Sequence, residues 1–150
     1  MRDYSIQIVR SPFQPSSVET IHRMHRECFP DREVWWPGPD GTAWFIVFDG
    51  AEPAAFCALS PGPLPATGAH TCWMSRAGVL PRWRGDGLQS RMIAHRETVA
   101  LAHGWTTVVT NVNRDNPHSM NNFIDAGYRP FWPAQPWDDE RATYWRKVLE

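Results

Sequence analysis

Apolar and polar residues alternate from Tyr4 to Val9, the period-two signature of a strand. The period then changes. Val18, Ile21, Met24, His25, Cys28 and Phe29 recur at helical spacing, and Ser16 with Glu19 three residues on reads as a capping box opening that helix. Pro30 and the run Pro37-Gly38-Pro39-Asp40-Gly41 break the pattern, leaving room for only a short second helix over 33–36. Residues 42–48 and 53–59 predict two strands joined by a tight turn at Asp49-Gly50, a hairpin signal.

After the loop 61–65, residues 70–79 read as a long strand. Leu88, Met92, Val99 and Ala102 form one stripe of a following helix, and Gly104 stands where that helix should stop. Residues 106–112 are rich in β-branched side chains and predict another strand. Asn116 before Pro117 gives an N-cap followed by proline in the first helical position. Met120, Phe123 and Ile124 supply the apolar face of that short helix, which Gly127 ends. Strands over 128–132 and 143–149 close the chain. The order predicts an α/β fold of mixed sheet with helices on both faces. With no repeat or linker visible, 150 residues make one domain, 1–150.

Composition narrows the class. Apolar residues are 42% and charged residues 21%, ordinary for a soluble globular chain. The formal net charge is −1 with no block of like charge, which argues against nucleic acid or an anionic membrane as partner. No apolar run approaches the roughly 20 residues needed to span a bilayer, and the first residues lack a signal-peptide core. Cys28, Cys57 and Cys72 are odd in number and widely spaced, which fits reduced thiols and a cytoplasmic setting. Nine tryptophans and fourteen prolines are the departures. Trp35, Trp36, Trp132 and Trp137 stand in Pro-rich stretches, where they line a pocket or cover the ends of a small core.

The candidate chemistry begins at Arg82-Trp83-Arg84-Gly85-Asp86-Gly87, between the long strand and a helix starting at Leu88. Glycines let successive N–H groups turn toward one ligand, and the helix N-terminus favours an anion such as phosphate. Alone, this pattern is weak. A second pattern follows in order: Asn116, then Phe123, then Gly127-Tyr128.

Together these motifs resemble the GNAT superfamily of acyl-coenzyme A-dependent N-acetyltransferases. Arg82, Gly85 and Gly87 match its Gln/Arg-x-x-Gly-x-Gly/Ala signature, and Val79-Leu80-Pro81 matches the lead into it. The resemblance covers essentially the whole chain. It implies about seven strands in a mixed, mostly antiparallel sheet with about four helices, and acetyl-CoA as co-substrate without a metal. It further implies that backbone N–H groups over 84–88 (Arg84, Gly85, Asp86, Gly87, Leu88), with the Ser90 hydroxyl, hold the pyrophosphate. Ala77 and Val79 would pair with the pantetheine arm, Asn116 would bind it near the thioester, and the Val79 amide would face the thioester oxygen.

This chain departs from the family pattern in its proton carriers. Phe123 stands where many members have a tyrosine serving the leaving sulfur. Ser119, one helical turn earlier, is the substitute candidate. The usual glutamate positions correspond to Thr71 and Asn111, which could order a relaying water, and His118 is the titratable neighbour best placed as base. The loop 132–140 sets tryptophans beside Asp138, Asp139 and Glu140 and reads either as a cation-binding wall of the acceptor site or as a solvated acidic turn. Trp35 and Trp36 would border the same acceptor site.

His22, His25 and Cys28 at i, i+3 and i+6 read as packing and not as a metal site. The expected activity is acetyl transfer to a primary amine, a small molecule in preference to a peptide. The alternatives are an acyl-CoA-binding module without turnover and an unrelated α/β domain. A homodimer is left open.

Overall fold

The computed structural model describes residues 2–34, 36–62 and 68–150. Seven strands form one sheet in the order β1-β2-β3-β4-β5-β7-β6. They are β1 (Tyr4–Val9), β2 (Ala43–Asp49), β3 (Glu52–Pro61), β4 (Thr71–Val79), β5 (Thr107–Asn113), β6 (Arg129–Pro130) and β7 (Ala142–Val148). The described helices are α1 (Pro15–Cys28), α2 (Leu88–Ala102) and α3 (Pro117–Asp125), with a 3-10 turn at Pro81–Trp83. Every pairing is antiparallel except β4 with β5. The fold is therefore the mixed, mostly antiparallel α/β sheet that the sequence implies.

Both faces of the central strands are covered, so β2 and β3 read as continuous apolar runs instead of alternating ones. Phe45, Val47, Cys57 and Leu59 pack beneath α2 and α3, while Trp44, Ile46, Phe56 and Ala58 pack beneath α1. From the helices, Ile21 and Met24 on one side and Met92 and Ile93 on the other are almost wholly buried. Each such side chain contributes about 1.5–3 kcal/mol of transfer free energy.

Four local expectations are corrected. Helix α1 starts at Pro15 with Gln14 as N-cap, and no side chain caps it. Proline fits the first helical position because its missing N–H has no intrahelical partner to lose, so Ser16 and Glu19 lie inside the helix and form no capping box. The described residues of 33–36 are not helical; Pro30, Pro37 and Pro39 restrict the backbone around them. The buried face of α2 is Leu88, Met92, Ile93, Arg96, Val99 and Ala100, with Ala102 exposed. An arginine at the centre of that face hid its true position. Finally, β6 keeps only two residues, because prolines at 130, 133 and 136 cannot donate to a ladder.

The glycine stops and the proline start hold. Gly104 at φ +85° ends α2, Gly127 at φ +96° ends α3, and the Asn116 side chain accepts a bond from the Ser119 N–H.

Candidate functional site

The site originates in a defect of the sheet. Strands β4 and β5 pair from Thr71 with Thr107 to Met74 with Thr110 and no further, although β4 runs to Val79 and β5 to Asn113. The cause lies on the other edge of β4. Ala58 opposes Ser75 and Phe56 opposes Gly78, so Arg76 and Ala77 together face Cys57. Two residues against one is a β-bulge, which bends the strand and increases its twist. Arg76 takes φ +47°, a conformation that side chains disfavour. The bend leads β4 away from β5.

The gap is a cleft of about 520 Å³. At its floor, Arg96 of α2 is 1% exposed. Its Nη1 donates to Ala58 O at 3.0 Å and, at the limit of hydrogen bonding, to Ser75 O at 3.5 Å; Nε donates to Met92 O at 3.2 Å. Arg96 Nη2 and Ser75 Oγ are buried with no hydrogen-bond partner among the described residues. Both residues line the cleft. Orphaned buried polar atoms are costly, by about 1–3 kcal/mol each.

One wall is a hydrogen-bonded assembly centred on Asn111. The indoles of Trp73 and Trp137 both donate to Asn111 Oδ1, each at 2.9 Å. Asn111 Nδ2 donates to Asp138 Oδ2 at 2.6 Å, and the Asp138 N–H donates to the Tyr144 hydroxyl at 3.1 Å. Thus β4, β5, β7 and the β6–β7 loop are fastened around one amide. Arg76 and Arg32 also line the cleft, with Phe29 at the end of α1. Burial holds the Arg76 pKa below its ordinary value, and neighbouring Arg32 pushes the same way while Asp138 opposes it. The third wall is α3, which brings Asn116, Ser119 and Phe123 to the cleft. Phe123 is buried edge-on against Tyr128.

The glycine turn adjoins the cleft at Ala77 and Gln89. Gly85 has φ +90° and Gly87 φ +75°, and a Cβ on either would meet nothing within 4 Å. Packing therefore does not demand these glycines; the positive φ does, and it leaves the surface of the turn open. Gly87 is the N-cap of α2 with no side-chain cap, so the first-turn N–H groups keep their capacity for an anion. The turn is anchored by Trp83, whose indole donates to Asp49 Oδ2 at 2.9 Å. The Asp86 carboxylate is drawn off toward β1, accepting from the Tyr4 hydroxyl at 2.6 Å and Arg2 Nη1 at 3.0 Å. The Arg2 guanidinium thereby offsets part of an adjacent negative charge that would repel a phosphate. These donors fit a pyrophosphate.

Several expected residues lie elsewhere. The Arg84 N–H closes the 3-10 turn onto Pro81 O at 3.3 Å, so the unengaged donors begin at Gly85. Arg82 turns to Glu52, 2.8 Å away, and Ser90 is exposed on the first turn of α2. The Leu80 N–H donates to Ala54 O at 2.9 Å, so strand alternation turns the Val79 main chain toward the gap. Its carbonyl already accepts Arg84 Nε at 3.0 Å, and Val79 is outside the cleft lining, whereas Ala77 is in it. Thr71 sits at the closed end of β4 and lines a different cavity with Trp132. His118 is exposed and outside the lining. Trp36 packs on Phe13, His22 and Trp44 away from the cleft. Trp35 falls outside the described residues. Among the described residues no three His, Cys, Asp or Glu side chains come together as a metal site, and no helix is long and apolar enough to cross a membrane.

Sequence reading missed Trp73, Arg76 and Arg96. A tryptophan and an arginine just before a glycine signature were a visible signal; a lone arginine within a helix was not.

Among solved structures, the ribosomal-protein-S18-alanine N-acetyltransferase from Escherichia coli shares the fold at a TM-score of 0.77 and 12% identity, over 98% of this chain and 94% of its own. The IAA acetyltransferase from Bacillus cereus gives 0.74 and 11%, over 98% and 100%. YncA from Salmonella typhimurium, solved with its cofactor acetyl-CoA, gives 0.72 and 13%, over 98% and 94%. At these identities the likeness is one of fold. The family model for the acetyltransferase (GNAT) family matches residues 8–128, from the first strand through both motifs to Tyr128. The parted strands, the open glycine turn and that match place this chain in the GNAT family of acyl-CoA-dependent acetyltransferases.

Proposed function

We propose that the protein is an N-acetyltransferase that moves an acetyl group from acetyl-CoA to a primary amine by direct attack. The parting of β4 from β5 carries the reading: it joins a strand edge able to pair with an amide-bearing arm, a polar-lined cleft, and a bare helix N-terminus suited to pyrophosphate. Gly85, Asp86, Gly87 and Leu88 would supply N–H donors for the pyrophosphate, with the Ser90 hydroxyl beside them. The β4 edge over 77–79 would receive the pantetheine arm as an added strand, which requires Arg84 to release the Val79 carbonyl. Asn116 would hold the arm near the thioester.

Acetyl-CoA supplies an activated carbonyl with a thiol leaving group. A lysine-type ammonium, with a pKa near 10.4, must lose a proton before attack. Its nitrogen bonds to the carbonyl carbon, the C–S bond breaks, and the second amine proton and the thiolate's proton exchange with protein or solvent. N-acetyl amine, free thiol and one proton are the products. The β4 main chain at the bulge would donate to the thioester oxygen, and Ser119, which lines the cleft, would protonate the sulfur.

The test is calorimetric titration with acetyl-CoA, followed by thiol release on an amine panel. Binding lost in a folded Gly85→Asp, Gly87→Asp double variant is expected, because each substitution adds a charge and a Cβ to the cradle. No binding by the intact protein would overturn the reading. Binding without thiol release from any amine would leave an acyl-CoA-binding module.

A further inference from the structure

The glycine turn is tied to the start of the chain. Asp49 accepts the Asp3 N–H at 3.2 Å and the Trp83 indole at 2.9 Å, joining the beginning of β1 to the 3-10 turn. Arg2 Nη2 donates to Arg82 O at 3.2 Å. The remaining tie is to Asp86, which stands between the two glycines. Its Oδ2 accepts the Tyr4 hydroxyl at 2.6 Å and Arg2 Nη1 at 3.0 Å. The ion pair is exposed, at 38% and 39% of the two side chains, and exposed pairs contribute little. The short hydroxyl bond is the stronger restraint, because its acceptor is charged. Tyr4 is itself fixed. It packs against the core on the α2 side of the sheet, and the Arg91 guanidinium lies over its ring at 5.5 Å.

The backbone offers Asp86 a different partner. An Asp side chain can accept from the N–H two residues on, an Asx-turn in which the next residue takes the third place of a β-turn. In a type II turn that place has φ and ψ of about +80° and 0°, and Gly87 has φ 75° and ψ 22°. The N–H so reached is that of Leu88. The first intrahelical bond of α2 runs from Arg91 N–H to Gly87 O at 3.1 Å, so the Leu88 N–H has no helical carbonyl to meet. The dipole at a helix N-terminus also favours a carboxylate there. Freed from Tyr4, Asp86 would take one pyrophosphate donor and set a negative charge beside the others.

Resting on the acyl-CoA reading above, we infer that Tyr4 is a positioning residue for the pyrophosphate seat. It holds Asp86 out of the Asx-turn and so keeps the N-terminus of α2 open to the phosphates. A residue of the first strand thereby sets the affinity for a ligand held at the start of α2.

The experiment is calorimetric titration of acetyl-CoA into the intact protein, Tyr4→Phe, Asp86→Ala and the double variant. Tyr4→Phe should weaken binding by about tenfold, which corresponds to about 1.4 kcal/mol. Asp86→Ala should tighten it, and adding Tyr4→Phe to Asp86→Ala should change it by less than about twofold. Amide exchange at Leu88, followed by NMR without ligand, gives a second readout. The Asx-turn protects that N–H, so Tyr4→Phe should slow its exchange by about fivefold or more, and only while Asp86 is present. A merely loosened fold would speed it instead. Equal losses of affinity with and without Asp86, or weaker binding by Asp86→Ala, would overturn the inference. Faster or unchanged exchange in Tyr4→Phe would do the same. If the intact protein binds no acetyl-CoA, the functional reading falls separately. The exchange series then decides whether Tyr4 restrains Asp86.

Discussion

At the scale of the residue, two neighbours on β4 carry opposite demands. Arg76 holds a positive φ that glycine would adopt without strain, whereas Gly78 holds a place where any side chain collides. A Cβ at Gly78 would lie 2.6 Å from Phe56 Cε1 and 3.1 Å from Cys28 Sγ, both on the α1 face of the sheet. Gly78→Ala should therefore destabilise by about 1–3 kcal/mol, the usual cost of overpacking. Arg76→Gly should leave stability equal or raise it by about 1 kcal/mol by relieving the strained φ. Urea titration of the two variants tests the pair, and a destabilised Arg76→Gly would mean that the guanidinium, not the backbone, maintains the bulge. Sequence indicated Gly85 and Gly87 because their need is local conformation. The need at Gly78 is created by a ring on the adjacent strand, and nothing around residue 78 announces it.

At the scale of the element, one carboxylate ties the parts that frame the site. Glu97 of α2 accepts from the Tyr128 hydroxyl at 2.9 Å and from Lys147 of β7 at 3.1 Å, and Lys147 also donates to Ala126 O at the end of α3. The pair is largely shielded, at 28% and 17% side-chain exposure for Lys147 and Glu97. Removing Glu97 strands both partners at once. Glu97→Ala should cost about 2–3 kcal/mol, and Tyr128→Phe, which leaves the ion pair in place, about 1 kcal/mol. Thermal denaturation distinguishes them; equal losses would place the value of the network in the phenol alone. The sequence marked Tyr128 as the end of a motif. Its service in binding α3 to α2 depends on residues 31 and 19 positions away, a relation that periodicity does not contain.

At the scale of the whole molecule, histidine burial links folding to pH. His25 is 0% exposed between α1 and the sheet, against Phe29 and Phe56, and neither ring nitrogen has a partner among the described residues. Burial lowers its pKa, and Arg76, His22 and Arg32 add to the effect. Burial also lowers those of His22 and His95. The folded state thus excludes a proton that the unfolded chain takes up near pH 6.5. Stability is fully present above that value and declines as pH falls below it, until the folded histidines themselves protonate. The melting temperature should drop between pH 7 and 5, with a shallower slope in His25→Leu. An unchanged slope would mean that His25 gains its proton without unfolding.

The sequence by itself determined the order of the strands, the glycine turn, the start and stop of α3 and the family, because each is written in neighbouring residues: a period, a cap, a φ that only glycine takes easily. Tertiary structure decided what faces the cleft. The bulge at Arg76 and Ala77 parts β4 from β5; the sheet order brings β7 beside β5 and so carries Asp138 to Asn111; α2 inserts Arg96 against β3 and β4. It also moved His118, Thr71 and Trp36 away from the site to which their positions in the sequence had assigned them. Contacts across a sheet join residues tens of positions apart, and their energies depend on register and twist, which no local pattern specifies.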